Sequence, residues 1–173
     1  HLDNESVIKA KSIVLATGFN LFDATRKEEY GYGIYDNVIT SAELEMMLKS
    51  GAKITTRDGK SPKRVGFIHC VGSRDEKIGN LHCSKVCCVT GVKQAIELRE
   101  LLPGCEVFSF YMDLRMYDRN FEELYFEAQQ KWQVNFIRGR LSECAEDQDH
   151  SLILKTEDTL TGRPLKISVD LLV

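Results

Sequence analysis

Four cysteines crowd into the middle of this sequence, at Cys70, Cys83, Cys87 and Cys88, within the stretch H-C-V-G-S-R-D-E-K-I-G-N-L-H-C-S-K-V-C-C. A deprotonated thiol is both a nucleophile and a soft metal ligand, so a cluster of this kind has three readings. It is a four-cysteine metal site, a set of metal-free redox thiols, or a group of ordinary core residues. A cubane iron–sulfur cluster takes four thiolates at its iron corners. The spacing here, C-x12-C-x3-C-C, is not the C-x2-C-x2-C of ferredoxins. Its vicinal pair is also unusual for zinc, where two to four residues separate the first two ligands. His69 and His82 each precede a cysteine and could complete a zinc site, but a residue next to a ligand usually points elsewhere. Cys105 and Cys144 stand alone and read as packing residues.

The elements around the cysteines decide whether the thiols can meet. The run R-V-G-F-I-H at 64–69 is an apolar strand that delivers Cys70 at its carboxyl end, and V-T-G-V-K-Q-A-I-E-L-R-E-L-L from Val89 has helical spacing that Pro103-Gly104 ends. Strand, loop, helix is where a doubly wound sheet places its ligand. If 83–88 is helical, Cys83 and Cys87 share a face and Cys88 lies at its edge. The helix N-terminus favours negative charge and lowers thiol pKa. A nucleotide-binding unit would carry G-x-G-x-x-G in this turn, whereas only Gly72 is near it. Asp113, after the next strand, stands where a ribose-binding acid would, and reads as a solvated turn residue.

Beyond this unit, E-V-F-S-F-Y at 106–111 is a second strand, and Asn120 with Glu123 predicts a capped helix with Leu124, Ala128 and Trp132 on its inner face. Val134–Ile137 is a third strand, so 64–138 reads β-α-β-α-β, a Rossmann-like parallel sheet. Leu141–Ala145, Leu152–Thr156 and Leu165–Val173, separated by acidic and glycine turns, predict an appended β-meander. Upstream, Val7–Ala16 reads as a strand with a turn near Lys9–Lys11, followed by Ala16-Thr17-Gly18, small residues that admit a close approach of backbone or ligand. Residues 19–39 predict a long packed loop. A helix follows over 41–50, with a Thr40/Glu43 capping box and a Gly51 stop. The expected fold class is therefore α/β: a Rossmann-like sheet, a β-meander and a short flanking helical segment.

Composition narrows the function classes. The 173 residues are 43% apolar and 28% charged, with net charge -3, which suits a protein with a substantial core and gives no basis for nucleic-acid binding. No apolar run reaches the roughly 18 residues of a membrane span. The polar start, H-L-D-N-E-S, shows no signal peptide, and the crowding of four of the six cysteines into one short stretch argues against a secreted disulfide framework, so the expected location is cytoplasmic. The chain lacks an initial Met and ends on D-L-L-V, and it reads as a piece of a longer polypeptide.

The segments H-C-V-G-S-R-D-E, H-C-S-K-V-C-C, V-K-Q-A-I-E-L-R and F-Y-M-D-L-R-M-Y resemble the A subunits of heterodisulfide reductases, and the related flavoprotein component of quinone-interacting membrane-bound oxidoreductase, over most of residues 60–140. The resemblance implies a thioredoxin-reductase-like flavoprotein whose FAD domain is interrupted by a module shaped like an NAD(P)H-binding domain. Residues 1–60 would then be the flank from the FAD side, and 61–173 the inserted module. Ala16, Thr17 and Gly18 resemble the return point from the FAD half, and D-L-L-V resembles re-entry into it. The resemblance makes Cys70, Cys83, Cys87 and Cys88 ligands of a [4Fe–4S] centre. It implies an oxidoreductase that passes electrons between FAD and clusters, within a complex that includes a hydrogenase or dehydrogenase donor and ferredoxin. The chain has neither an FAD phosphate-binding glycine loop nor a ferredoxin motif, so it is not expected to act alone. Two alternatives stand beside this: a pyridine-nucleotide-binding domain of a disulfide oxidoreductase, and a metal-free scaffold that docks partner subunits.

Overall fold

The computed structural model describes residues 8–173. Three helices and seven strands follow one another as α1 (Ser41–Ser50), β1 (Arg64–Ile68), α2 (Cys87–Leu101), β2 (Glu106–Tyr111), α3 (Phe121–Gln130), β3 (Asn135–Arg138), β4 (Leu141–Glu146), β5 (Leu152–Asp158), β6 (Arg163–Val169) and β7 (Leu171–Leu172). The strands make two sheets. One is parallel, in the order β3-β2-β1-β7, and the other is antiparallel, in the order β4-β5-β6. This is the α/β class expected from the sequence.

β1 and β2 are apolar on both faces because each has a layer on either side. Val65, Phe67 and Val107 enter a core with Leu44 of α1, Val92 and Leu98 of α2, Ala128 of α3 and Leu171 of β7. Phe110 and Leu172 enter a second core with Leu141, Leu152, Leu154 and Val169 of the antiparallel sheet. The two layers touch at Gly66. A Cβ there would come within 3.0 Å of the Leu154 and Leu172 methyl groups, so this strand position is glycine for want of space. β5 alternates Leu152, Leu154 and Thr156 inward, as a strand packed on one face must.

The capping box on α1 forms as read: Glu43 N–H donates to Thr40 Oγ1 at 3.3 Å, and Thr40 N–H donates to Glu43 Oε2 at 2.6 Å. Four expectations change. Asn120 precedes α3 with φ 65° and makes no side-chain cap, because a left-handed turn there sets the helix direction instead. Leu165–Val173 is two strands rather than one. At Asp170 the chain leaves the antiparallel sheet, and its carboxylate accepts from Lys63 and Arg64 N–H at 2.6 and 2.9 Å, which seats β7 beside β1. The described part of Val7–Ala16, residues 8–16, is exposed irregular chain, and Val7 lies outside the described residues. Finally, α2 begins at Cys87, so the vicinal pair is inside its first turn, while 83–86 is not helical and Cys83 shares no helix face with Cys87.

Residues 21–39 pack as two short 3-10 turns, Ala24–Arg26 and Glu28–Tyr30, and end in a bridge from Val38 to Leu172. Leu44 and Ile54 lie in the same core as β1, so α1 is bound to the parallel sheet.

Candidate metal centre

The sheet ends its β1–β2 ladder with His69 N–H donating to Phe110 C=O at 3.1 Å, and the chain then turns sharply. Cys70 makes that turn with φ 64°, a left-handed conformation that a residue with a Cβ adopts at a cost. Arg74 (φ 54°) and Lys85 (φ 63°) repeat it further along the same loop. Three strained residues in one loop mark a backbone held in place by its surroundings.

Those surroundings include a buried ion network that sequence reading missed. Asp75 Oδ2 accepts from Lys27 Nζ at 2.8 Å and from Arg140 Nη2 at 2.5 Å, with Lys27 and Asp75 each only 3% exposed. Lys27 also meets Glu29. The hydrogen bond from Lys27 leads the causes that hold the Asp75 carboxyl below its ordinary value, with Arg140 adding to it. Burial opposes charge on Lys27, yet its bonds to Asp75 and Glu29 raise its pKa on balance. The loop is also tied internally: Asp75 and Asn80 form a bridge, Arg74 N–H donates to His82 C=O at 3.1 Å, and Asn80 Nδ2 donates to Gly72 C=O at 2.9 Å. Charges from the flank, the loop and β4's approach thus pin the segment that joins Cys70 to Cys83.

The thiols come together at the head of α2. The ligand atoms of His69, Cys87 and Cys88 lie within 4.8 Å of one another. Cys70 is buried and interacts with Cys87. Interaction with Cys87, ahead of burial, raises the pKa of both Cys70 and Cys88, while the bonds from Cys70 and Cys88 lower that of Cys87. The ionisation of the three thiols is thus linked, and the helix dipole at the start of α2 favours an anion among them. Val86 supplies no side-chain cap, so the amides of the first turn are left for another acceptor. Cys83 stands apart, half-buried, on the loop before α2.

Backbone donors address the sulfurs. Lys85 N–H donates to Cys83 Sγ at 3.3 Å, and Arg115 N–H to Cys88 Sγ at 3.4 Å. His69 is buried, with Nε2 2.8 Å from Ser109 Oγ and its ring against Gly91, where a Cβ would come within 2.7 Å of Cε1. Arg74 Nη2 donates to Asp113 Oδ2 at 2.8 Å, and Arg138 pairs with the same carboxylate at 3.5 Å. Asp113 is thus an ion-pair partner beside the thiols. No sequence signal separates it from a solvated turn residue.

Cys87 and Cys88 in the first turn of an uncapped helix, buried Cys70 at the strand end, Cys83 on the loop between and amide N–H groups directed at two of the sulfurs are a donor set that suits an anionic sulfur-ligated cluster. They do not fit a dinucleotide phosphate site. The β1–α2 connection runs over 69–86 rather than a tight glycine turn, and Gly72 is occupied on its open side by the Phe22 ring. Cys105 and Cys144 lie elsewhere and are buried, and burial pushes their thiols up to about 11 and about 12. Ala16, Thr17 and Gly18 are exposed and lie on the same irregular stretch as Ile13, Val14 and Leu15, each more than 80% exposed.

No family model matches the chain. It is 48% identical over 172 residues to the Methanococcus maripaludis protein named as the A subunit of H(2)/formate:CoB-CoM heterodisulfide,ferredoxin reductase, covering 96% of this chain and 26% of that protein. It is 46% identical over 175 residues to the iron-sulfur A subunit of the CoB--CoM heterodisulfide reductase of Methanocaldococcus jannaschii, covering 98% and 27%. The chain therefore spans about a quarter of the length of these relatives. Among solved structures it is similar to T. acidophilum thioredoxin reductase, with TM-score 0.47 and 15% identity over 84% of this chain and 36% of that one.

Proposed function

We propose that this chain, homologous over nearly its whole length to a segment of the heterodisulfide reductase A subunits, is the cluster-bearing module of an iron–sulfur flavoprotein, with Cys70, Cys83, Cys87 and Cys88 as ligands of one [4Fe–4S] centre. The observation that carries the proposal is the convergence of His69, Cys87 and Cys88 within 4.8 Å at the uncapped start of α2, with buried Cys70 next to His69 in the chain and Cys83 on the adjoining loop. When bound, the cluster supplies one-electron transfer. The chain's own residues would hold the sulfurs, with Lys85 N–H donating to Cys83 Sγ and Arg115 N–H to Cys88 Sγ.

The same proposal assigns Ala16, Thr17 and Gly18 to contact with FAD, since an exposed apolar stretch ending in small residues suits docking against a flavin-binding half. The whole polypeptide would pass electrons between FAD and clusters in the cytoplasm. Its partners would be the other subunits of a heterodisulfide-reductase-like complex, a hydrogenase or dehydrogenase donor, and ferredoxin. Among the described residues no helix is long and apolar enough to cross a membrane.

The test is anaerobic reconstitution with iron and sulfide. The expected outcome is a brown protein with about four iron and four sulfide per chain, lost in Cys87→Ser and in Cys83→Ser. A second reading rests on the proximity of His69: a zinc site of Cys70, Cys87, Cys88 and His69. It predicts a colourless protein whose bound zinc depends on His69 and not on Cys83. A colourless protein that takes up neither metal would overturn both readings.

A further inference from the structure

Arg74 sits in the cysteine loop in a strained left-handed conformation, its backbone tied to His82 C=O. One guanidinium nitrogen, Nη2, is committed to Asp113. The other, Nη1, is buried and has no hydrogen-bond partner among the described residues. A buried cationic donor without an acceptor is costly, and such a group in a native fold calls for an explanation. Arg74 follows Cys70 on the same loop, close behind it in the chain. Asp113 belongs to the same wall, because its backbone C=O accepts from Cys88 Sγ at 3.7 Å and Arg115 N–H meets that sulfur from the same loop. Arg138 holds the Asp113 carboxylate from the other side, so Arg74 is aimed by a braced partner.

We infer that Arg74 is a potential-setting residue for the sulfur-ligated centre: Nη1 donates to a sulfur at the Cys70 corner and its charge stabilises the reduced form. The inference rests on the cluster reading above. A four-thiolate cluster gains negative charge on reduction, and a fixed cation with a directed N–H bond favours the state with more of it. Potentials of such clusters follow hydrogen bonds to sulfur and local charge. Asp113 offsets part of the charge while holding the fork in place, so the pair acts as a set, with Arg74 lowering the energy of the reduced state and Asp113 raising it.

The experiment is a redox titration of the reconstituted chain with dithionite and mediators, with iron and sulfide measured on each sample. In Arg74→Gln the iron and sulfide content should stay at the wild-type level while the reduction equilibrium weakens at least tenfold, about 59 mV for a one-electron couple. Arg74→Lys keeps the charge without the fork and should fall between. Wild-type protein that holds no iron and sulfide overturns the cluster reading itself. A loaded Arg74→Gln centre with unchanged potential overturns only the role given to Arg74. If Arg74→Gln does not fold or loses its iron, Asp113→Asn decides: a raised potential supports the pair, and an unchanged or lowered one overturns it.

Discussion

Asp75 is the residue on which the loop geometry turns. It is buried, it receives Lys27 and Arg140, and its folded pKa is depressed, chiefly by the Lys27 hydrogen bond. A depressed carboxylate contributes stability that is fully present above the unfolded value, near 3.8, and is lost as pH falls through the lower folded value. Thermal or urea unfolding followed downward from pH 6 should show this acid loss in the wild type and not in Asp75→Asn. At neutral pH that variant should be less stable by about 3 kcal/mol, because Lys27 is left buried with a partner missing. Equal acid sensitivity of the two proteins would remove the network from the account. None of this was legible in the sequence. Lys27, Asp75 and Arg140 are remote in the chain, and a charged residue in a loop reads as solvated until the fold brings an opposite charge to it.

The elements were more legible than the contacts between them. α1 could be read because its capping box and glycine stop are local signals, and β1 and β2 because a strand buried on both faces is apolar throughout. The start of α2 could not be read. Two cysteines and an uncapping valine carry no N-cap signal, so the sequence leaves the helix start open between Cys83 and Val89, and it falls at Cys87. For the same reason the expected helix face shared by Cys83 and Cys87 does not form. α2 is set close to the strand end by Gly91, against which the His69 ring packs. Gly91→Ala would push this ring and helix apart and should cost about 1–3 kcal/mol, since backbone and ring must shift to admit the methyl. Adding His69→Ala should restore much of the loss, which denaturant melts of the single and double variants will show as a coupling energy.

At the scale of the whole molecule, β7 joins two cores with two residues. Leu171 enters the core of the helices and Leu172 that of the antiparallel sheet, and both are buried. Leu172→Ala should cost about 2–5 kcal/mol. Because one short strand serves both layers, the protein should melt in a single transition by near- and far-ultraviolet circular dichroism, and the variant should melt earlier but still in one step. Two separated transitions would show that the layers are independent. Sequence placed these residues in the meander because L-K-I-S-V-D-L-L-V is one uninterrupted β-prone run, and only the Asp170 carboxylate, bound to two amides of the neighbouring strand, marks the change of sheet. That change of sheet also sets an order of events during synthesis. β1 and the thiols at the head of α2 emerge from the ribosome well before β7, the last of the four parallel strands. A nascent chain therefore carries its cysteines while one flank of their strand is still uncovered, so the interval before β7 arrives is when oxidants have freest access to them.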